Sequence, residues 1–319
     1  MRGRFAATLL LLAAAQNGCN QTPGDVRLRG EDQRSSRELR IVSLAPHLAE
    51  LVYAVGAGDL LVGVTAFTDY PDAAAALPLV GDAFSLDQER LAMLKPDLLL
   101  AWRSGTAVHV VDDLEKRGYR VETIETRGVD DVASALEEIG RLTGHEQEAS
   151  EAAARFRRGI RRLARRHRDS EEISVFYQVS ARPLYTVNGD HYTSELIAIC
   201  GGRNVFDELG SLAPLVDVEA VLARNPEAML ASDDSPEDAF RVWQRWPQLA
   251  ANRYGNYFFL PANEIGRATP RLLQAGESLC EALDEARRNR RSHRSVESPA
   301  PRAITRYQNG HRCPPNLTA

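Results

Sequence analysis

The residues of this chain best suited to chemistry are aromatic rings and arginines in the segments that follow predicted strands. Phe67 and Tyr70 stand in a Phe-Thr-Asp-Tyr-Pro segment, and Trp102 and Arg103 come directly after an apolar run. Flat aromatic faces and fixed guanidinium donors suit a large planar ligand with polar edges. The pattern therefore indicates binding of a ligand rather than bond-breaking chemistry.

The C-terminal half of the chain has a similar set of residues. Tyr185 and Tyr192 lie on either side of Asn188-Gly189, and Arg267 stands in a Gly-Arg-Ala-Thr-Pro-Arg segment. Ligands of α/β folds bind at the carboxyl ends of strands. These strand-end segments are therefore the predicted binding segments.

No catalytic motif accompanies these residues. The sequence lacks a Gly-x-Ser-x-Gly elbow, a phosphate-binding Gly-x-x-x-x-Gly-Lys loop and a His-Glu-x-x-His motif. The seven histidines are scattered, with no pair at i, i+4 spacing, and no Cys/His zinc spacing occurs. We therefore predict a protein that is not an enzyme and that has no resident cofactor or metal ion.

Two phrases that each occur twice indicate how the binding segments are positioned. The Glu-Arg-Leu-Ala-Met-Leu-Lys-Pro phrase at 89–96 returns as Glu-Ala-Val-Leu-Ala-Arg-Asn-Pro at 219–226, and an apolar run follows each copy. Proline ends the helical pattern, and the run after it is typical of a buried strand. Upstream, the spacing from Glu50 to Gly56 equals that from Glu195 to Gly201, as in a helix ending at glycine. The chain is thus predicted to form two lobes on one plan.

Strand and helix patterns alternate along both halves, which predicts an α/β fold with parallel sheets. A long charged helical stretch between the halves suits a connecting helix, and a last helix is expected to end at Arg288. The predicted organisation is a signal peptide (1–18), a polar tether (19–38), an N-terminal lobe (39–144), a connecting helix (145–169), a C-terminal lobe (170–288) and a disordered tail (289–319).

The N-terminus has the three parts of a bacterial export signal: Arg2 and Arg4, an apolar stretch over 5–15, and Gly18-Cys19. Cleavage after Ala15 would release a periplasmic protein, whereas cleavage before Cys19 would place a lipid on its thiol. Both routes stay open, and a membrane contact is predicted only through that lipid. The net charge is −5 although seven arginines lie in 288–319, so the body is acidic and binding to nucleic acid is excluded.

Five segments in order carry a resemblance to a known family: Ser-Leu-Ala-Pro near the start, Phe-Thr-Asp-Tyr-Pro, the long run from Leu86 to Gly105, Ile-Cys-Gly-Gly-Arg-Asn-Val-Phe, and Arg-Ala-Thr-Pro-Arg-Leu. Over about Arg40 to Ala286 the chain resembles the periplasmic cobalamin-binding proteins of ABC importers, which are class III substrate-binding proteins. The resemblance implies two Rossmann-like lobes joined by a rigid helix, with the corrinoid in the cleft between them. It also implies delivery to a permease dimer with its ATPase subunits.

The resemblance also implies roles for single residues. Phe67, Trp102, Tyr185 and Arg267 would line the corrinoid site. Glu89 and Glu219 fall on two surface glutamates that pair with permease arginines. Cys200 and Cys280, the natural pair in an exported chain, fall on the disulfide of the family. That bridge would close a loop of about 80 residues, worth roughly 4 kcal/mol in the chain-entropy model; two buried free thiols are the alternative.

The chain departs from the family where Ala83 and Ala213 stand in place of tryptophans and where Asn263 begins the run before Arg267. We therefore expect a corrinoid site whose lining side chains differ from those of the family. The expected lining residues are Phe67, Tyr70, Phe84, Trp102, Arg103, Tyr185, Asn263 and Arg267. His47 and His191 are the candidate axial ligands for cobalt or haem iron in the cargo. The alternatives are a haem-binding or ferric-siderophore-binding protein of the same fold, and an enzyme or metal-cluster protein on a similar scaffold.

Overall fold

Two parallel four-stranded sheets carry the fold in the computed structural model, which describes residues 38–82, 85–234 and 239–297. The first sheet contains β1 (Ile41–Ser43), β2 (Leu61–Val64), β3 (Leu98–Trp102) and β4 (Val121–Ile124), in the order β2-β1-β3-β4. The second contains β5 (Ile173–Gln178), β8 (Gly202–Asn204), β9 (Ala228–Ser232) and β10 (Tyr257–Leu260), in the order β8-β5-β9-β10. A hairpin of β6 (Ser180–Ala181) and β7 (Leu184–Tyr185) follows β5. Both sheets thus have the same strand order, which confirms the α/β prediction.

The helices alternate with these strands. The first lobe contains α1 (Pro46–Ala54), α2 (Asp72–Ala75), α3 (Gln88–Leu94), α4 (Val108–Lys116) and α5 (Val129–Thr143). After α6 (Glu146–His167), the second lobe contains α7 (Tyr192–Ile199), α8 (Val218–Arg224), α9 (Ala250–Tyr254), α10 (Ala262–Ile265) and α11 (Leu272–Glu297). One hydrophobic core extends through both lobes, because α6 packs on α5 and α11.

The repeated phrase has the same local structure in both lobes. The carboxylates of Asp87 and Asp217 cap α3 and α8 by accepting hydrogen bonds from the backbone N–H groups of Arg90 and Ala220. Both helices end at a residue with φ of 46°, Lys95 in the first lobe and Asn225 in the second. Each helix is then followed by a central strand of its sheet, as the phrase predicts.

Several features were missed or wrongly bounded, the short helices α2, α9 and α10 among them. Strand β8 and the β6–β7 hairpin were not predicted, because they are short and lack an apolar run. The last helix continues past Arg288 to Glu297, so the prediction of disorder is wrong for 289–297. The reason is Arg290, which is buried and pairs with Glu171 and Glu227.

Other predictions concern covalent and terminal features. Cys200 and Cys280 form the predicted disulfide, with an S–S distance of 1.99 Å. The signal peptide, Cys19, the tether up to residue 37 and residues 298–319 lie outside the described residues. Within the described ranges, no helix combines the length and apolar content needed to cross a bilayer.

Candidate functional site

The principal cavity lies at the carboxyl edge of the first sheet, between β1 and β3. The chain leaves β1 toward β2 on one side and leaves β3 toward β4 on the other. Two such connections diverge and open a crevice at the strand ends, which is where ligands bind in open α/β sheets. The segments 44–47 after β1, 65–67 after β2 and 102–106 after β3 form its walls.

The cavity has a volume of about 640 Å³, which is in the usual range for small-molecule sites. The second lobe closes one side with Gly266 and Arg267. The remaining lining comes from the first lobe, and its members that bear rings or polar groups are His47, Thr65, Phe67, Asp82, Ser85, Gln88, Trp102, Thr106, His109 and Asp113. The site is therefore asymmetric, with most of its surface in one lobe.

Trp102 is the central aromatic side chain of this wall. Its ring meets the His47 ring edge-to-face, with 5.1 Å between centroids. Gly105 allows the indole to lie against the following turn, since a Cβ there would come within 1.9 Å of the ring. Among the described residues, the Trp102 Nε1–H and the Thr65 hydroxyl are buried without a hydrogen-bond partner. Unpartnered buried groups are rare, and here both belong to residues that line the cavity.

Phe67 stands at the edge of the cavity with an unusual backbone. Its φ is 66°, in the left-handed region that bulky residues rarely adopt, and its side chain is 82% exposed. The Phe67 carbonyl accepts a hydrogen bond of 2.9 Å from Nη2 of Arg267. Such strained positions cluster at ligand sites, and here the geometry holds an aromatic ring in solvent beside the cavity.

A cluster of ionic groups joins the two lobes at this edge. The Glu50 carboxylate, on α1, is buried and accepts a bidentate pair of hydrogen bonds from Arg271 at 3.0 and 2.7 Å. It also accepts one from Arg267 at 2.8 Å. Arg267 donates to Asp69 as well, which holds the pKa of that carboxyl below its usual range. The Arg271 guanidinium lies 4.2 Å from the centroid of the Tyr70 ring.

Replacing Glu50 by Gln is expected to lower the free energy of unfolding by about 2 kcal/mol, because two arginines lose their shared buried carboxylate. This expected loss is smaller than that for breaking a fully buried ion pair, because both guanidinium groups retain some exposure to solvent. Glu195, at the matching position of the other lobe, is exposed, and among the described residues its carboxylate accepts a hydrogen bond only from the Val129 N–H. Glu195→Gln is therefore the control, with an expected loss of about 1 kcal/mol. Urea unfolding measures both, and equal losses would contradict the role of Glu50.

The cavity wall does not include three other predicted ligand residues, Arg103, Tyr185 and Asn263. Arg103 directs its guanidinium to the Thr123 carbonyl, and Asn263 lies on α10. Tyr185 lies on β7, in the segment that follows β5. Phe84 belongs to the undescribed pair 83–84. The structure thus brings Phe67, Trp102 and Arg267 together at the cavity. It places Tyr70 beside Arg271 in the neighbouring ionic cluster and leaves Arg103, Tyr185 and Asn263 apart from the cavity.

Neither candidate axial histidine is charged at neutral pH. Burial and the positive charge of Arg267 lower the pKa of His47 to about 3. Burial lowers the pKa of His191 to about 4, and its Nδ1 accepts a hydrogen bond from the Thr193 N–H at the start of α7. His191 therefore serves a helix end, whereas His47 lines the cavity. Among the described residues, no group of three or more His, Cys, Asp or Glu side chains is placed to hold a metal ion.

The low pKa of His47 predicts a loss of stability in mild acid. The unfolded chain takes up a proton near pH 6.5, whereas folded His47 does so only near pH 3, so its contribution is complete above pH 6.5 and is lost as the pH falls. We expect His47 to account for about 2 kcal/mol of the decrease in unfolding free energy between pH 7 and pH 5. Urea unfolding at both pH values measures this decrease. In the His47→Gln variant, the decrease in unfolding free energy should be smaller than in the wild type by that amount. An unchanged decrease would contradict the prediction.

Sequence reasoning missed several polar residues of the wall. His109 and Asp113 lie one turn apart on α4, and Thr106 precedes that helix. Their i, i+4 spacing places them on one helix face. This spacing was the available sequence signal that the two side chains share a helix face. It did not show which face of α4 lines the cavity.

The predicted docking glutamates lie on corresponding helices. Glu89 is in the first turn of α3 and Glu219 is in the first turn of α8, and both side chains are exposed. Each helix begins at the carboxyl-edge side of its sheet, since it leads back to the start of the following parallel strand. The two carboxylates therefore occupy equivalent places on the two lobes.

Comparisons with known proteins agree with this architecture. The family described as periplasmic binding protein matches residues 41–263. The vitamin B12-binding protein of Vibrio parahaemolyticus is 33% identical over 252 residues, covering 79% of this chain and 91% of that protein. The crystal structure of the periplasmic vitamin B12 binding protein of Vibrio cholerae is 32% identical with a TM-score of 0.71, covering 78% and 97%. A periplasmic haem-binding protein from Pseudomonas aeruginosa is 27% identical with a TM-score of 0.67, covering 77% and 92%.

Proposed function

The chain belongs to the periplasmic binding protein family, and we propose that it captures cobalamin or a related corrinoid and delivers it to an ABC importer. The observation that carries the proposal is the cavity at the edge of the first sheet, where an indole, an exposed phenyl ring and a guanidinium from the other lobe meet. Its similarity to vitamin B12-binding proteins over most of its length supports the choice of ligand. The family consists of substrate-binding proteins rather than enzymes, and the corrinoid is cargo, not a cofactor.

The wall chemistry suits a corrinoid. A corrin ring is a large macrocycle with amide side chains around its edge. Trp102 and Phe67 offer flat apolar faces to such a ring. Polar groups on α4, which line the cavity, can hydrogen-bond to the amides. Tyr185, Tyr70 and Asn263 are proposed to approach the ligand from the outer side of the cleft, together with Phe84 and Arg103.

A haem ligand is the second candidate. It is supported by the similarity to the haem-binding protein of Pseudomonas aeruginosa and by His47, whose neutral imidazole lines the cavity. A neutral imidazole is a good ligand for haem iron. The stronger similarity to vitamin B12-binding proteins favours the corrinoid.

The partner is proposed to be a permease dimer with its ATPase subunits. Glu89 and Glu219 would meet equivalent basic pockets on the two permease subunits, since a dimer repeats each pocket about its axis. The protein is proposed to act in the periplasm, either free or held by a lipid on Cys19.

Titration of the purified protein with cyanocobalamin tests the ligand, with haemin as the comparator. We expect saturable binding of one cyanocobalamin per chain at micromolar concentration or below, and weaker binding of haemin. Absence of corrinoid binding at micromolar concentrations would overturn the proposal. Tight binding of haemin alone would replace it with the haem function.

A further inference from the structure

From Arg155 to its C-terminal end, the exposed side of α6 is a row of arginines. Buried Ala149, Phe156 and Leu163 mark the side that packs on the protein. The opposite arc carries only basic side chains over 155–168, a distance of about 20 Å along the helix axis. We call this arc the arginine face, and its members are Arg155, Arg158, Arg161, Arg162, Arg165, Arg166 and Arg168.

The arginine face is almost without counter-charge. Arg155 has an exposed partner in Glu151, at 3.8 Å. In the part of the chain that the structure describes, none of the other six guanidinium groups has a carboxylate within ion-pair distance or donates a hydrogen bond. By contrast, Arg157 on the flank of α6 pairs with Asp130 and Glu137. Six adjacent cations that have no partner among the described residues repel one another, which costs free energy unless an anionic surface approaches them.

A shallow groove lies beside the arginine face and has an apolar floor. Its volume is about 370 Å³, and Arg155, Arg158 and Arg162 form its rim. The floor consists of Ala54, Ala152, Phe156, Pro270 and Leu273. Cations above an apolar floor match an amphiphile that has an anionic headgroup and carbon chains.

From this charge and this groove, we infer that the arginine face docks on a bilayer surface rich in anionic phospholipid. Guanidinium groups bind phosphate oxygens through paired hydrogen bonds, and basic clusters are attracted to anionic leaflets. The apolar floor favours a lipid over a nucleic acid as the partner. A phospholipid carries carbon chains beside its phosphate that can contact this floor, whereas the nucleic-acid backbone carries none. The inference rests on export of the chain and does not depend on the identity of the ligand or on a lipid at Cys19.

Docking in this way leaves the ligand cavity open. Helix α1 begins at the cavity with Pro46 and His47, and its last residue, Ala54, lines the groove beside the arginine face. The length of α1, about 13 Å, separates the two sites. A protein resting on lipid through α6 therefore keeps its cavity away from the bilayer.

Vesicle binding tests the inference with the protein as cells export it. The probes are vesicles that contain phosphatidylglycerol and vesicles of phosphatidylcholine alone, and sedimentation measures the bound fraction at increasing salt. The test variant is Arg158→Glu with Arg165→Glu, which keeps good helix formers on α6. The control is Arg120→Glu with Arg245→Glu, because it makes the same change of net charge on other exposed segments. Cyanocobalamin titration of each variant reports separately on the ligand site.

We expect the wild type to bind only the phosphatidylglycerol vesicles and to be released by salt. The α6 variant should bind at least tenfold more weakly, whereas the control variant should bind like the wild type. Equal binding to both kinds of vesicle, or equal loss in both variants, would overturn the inference. Binding to duplex DNA without binding to vesicles would overturn it in favour of a polyanion.

Discussion

Reversing both Glu89 and Glu219 to Lys is expected to abolish corrinoid uptake by cells and to leave corrinoid binding by the purified protein unchanged. Each carboxylate is exposed in the first turn of its helix, α3 or α8, and neither residue lines the cavity. In the proposed docking, a permease dimer would offer two equivalent basic pockets about its two-fold axis, and two lysines there would face groups of the same sign. Like charges at an interface cost several kcal/mol and slow the encounter, so uptake is expected to fall by more than a hundredfold.

Growth on limiting cobalamin measures uptake, and cyanocobalamin titration measures binding. The control is Glu115→Lys with Glu281→Lys, which changes the net charge equally at exposed positions of α4 and α11. Each single reversal is expected to give a partial defect, because one pocket would still be matched. Normal uptake in the Glu89 and Glu219 double variant would show that these residues do not dock.

Replacing Trp102 by Ala is expected to raise the Kd for cyanocobalamin about a hundredfold, or about 3 kcal/mol. The indole lies at the centre of the wall, between His47 and the turn at Gly105. A large aromatic side chain at the centre of a site contributes much of the binding energy through its buried area. Its N–H is also one of the two unpartnered buried groups of the wall.

Trp102→Phe tests how much of this binding energy depends on the area of the indole. The phenyl ring keeps a flat apolar face of smaller area, so we expect a rise in Kd of about tenfold. Thermal unfolding of both variants checks that the first lobe remains folded. Binding by a folded Trp102→Ala variant with the Kd of the wild type would place the ligand elsewhere.

The positions of single site residues were partly predictable. Trp102 was predicted because an apolar strand ends at it, and the carboxyl edge of that strand does form the cavity wall. Arg103, one residue later, has the same sequence signal, yet it turns toward the Thr123 carbonyl. Neighbours along a strand end point to opposite sides of the sheet, and the choice between them depends on what packs against each side.

The amino-acid sequence by itself determined the elements and their duplication. Aspartate caps, a proline after each repeated helix and the period of apolar residues act over a few residues, so the chain displays them directly. Only the tertiary structure decided that Glu50 meets Arg267 and Arg271, more than 200 residues away, and that the arginine face of α6 has so little counter-charge. Ionic partners and cavity walls depend on how segments that are distant in the sequence pack together. The packing energy between such segments cannot be read from the spacing of neighbouring residues.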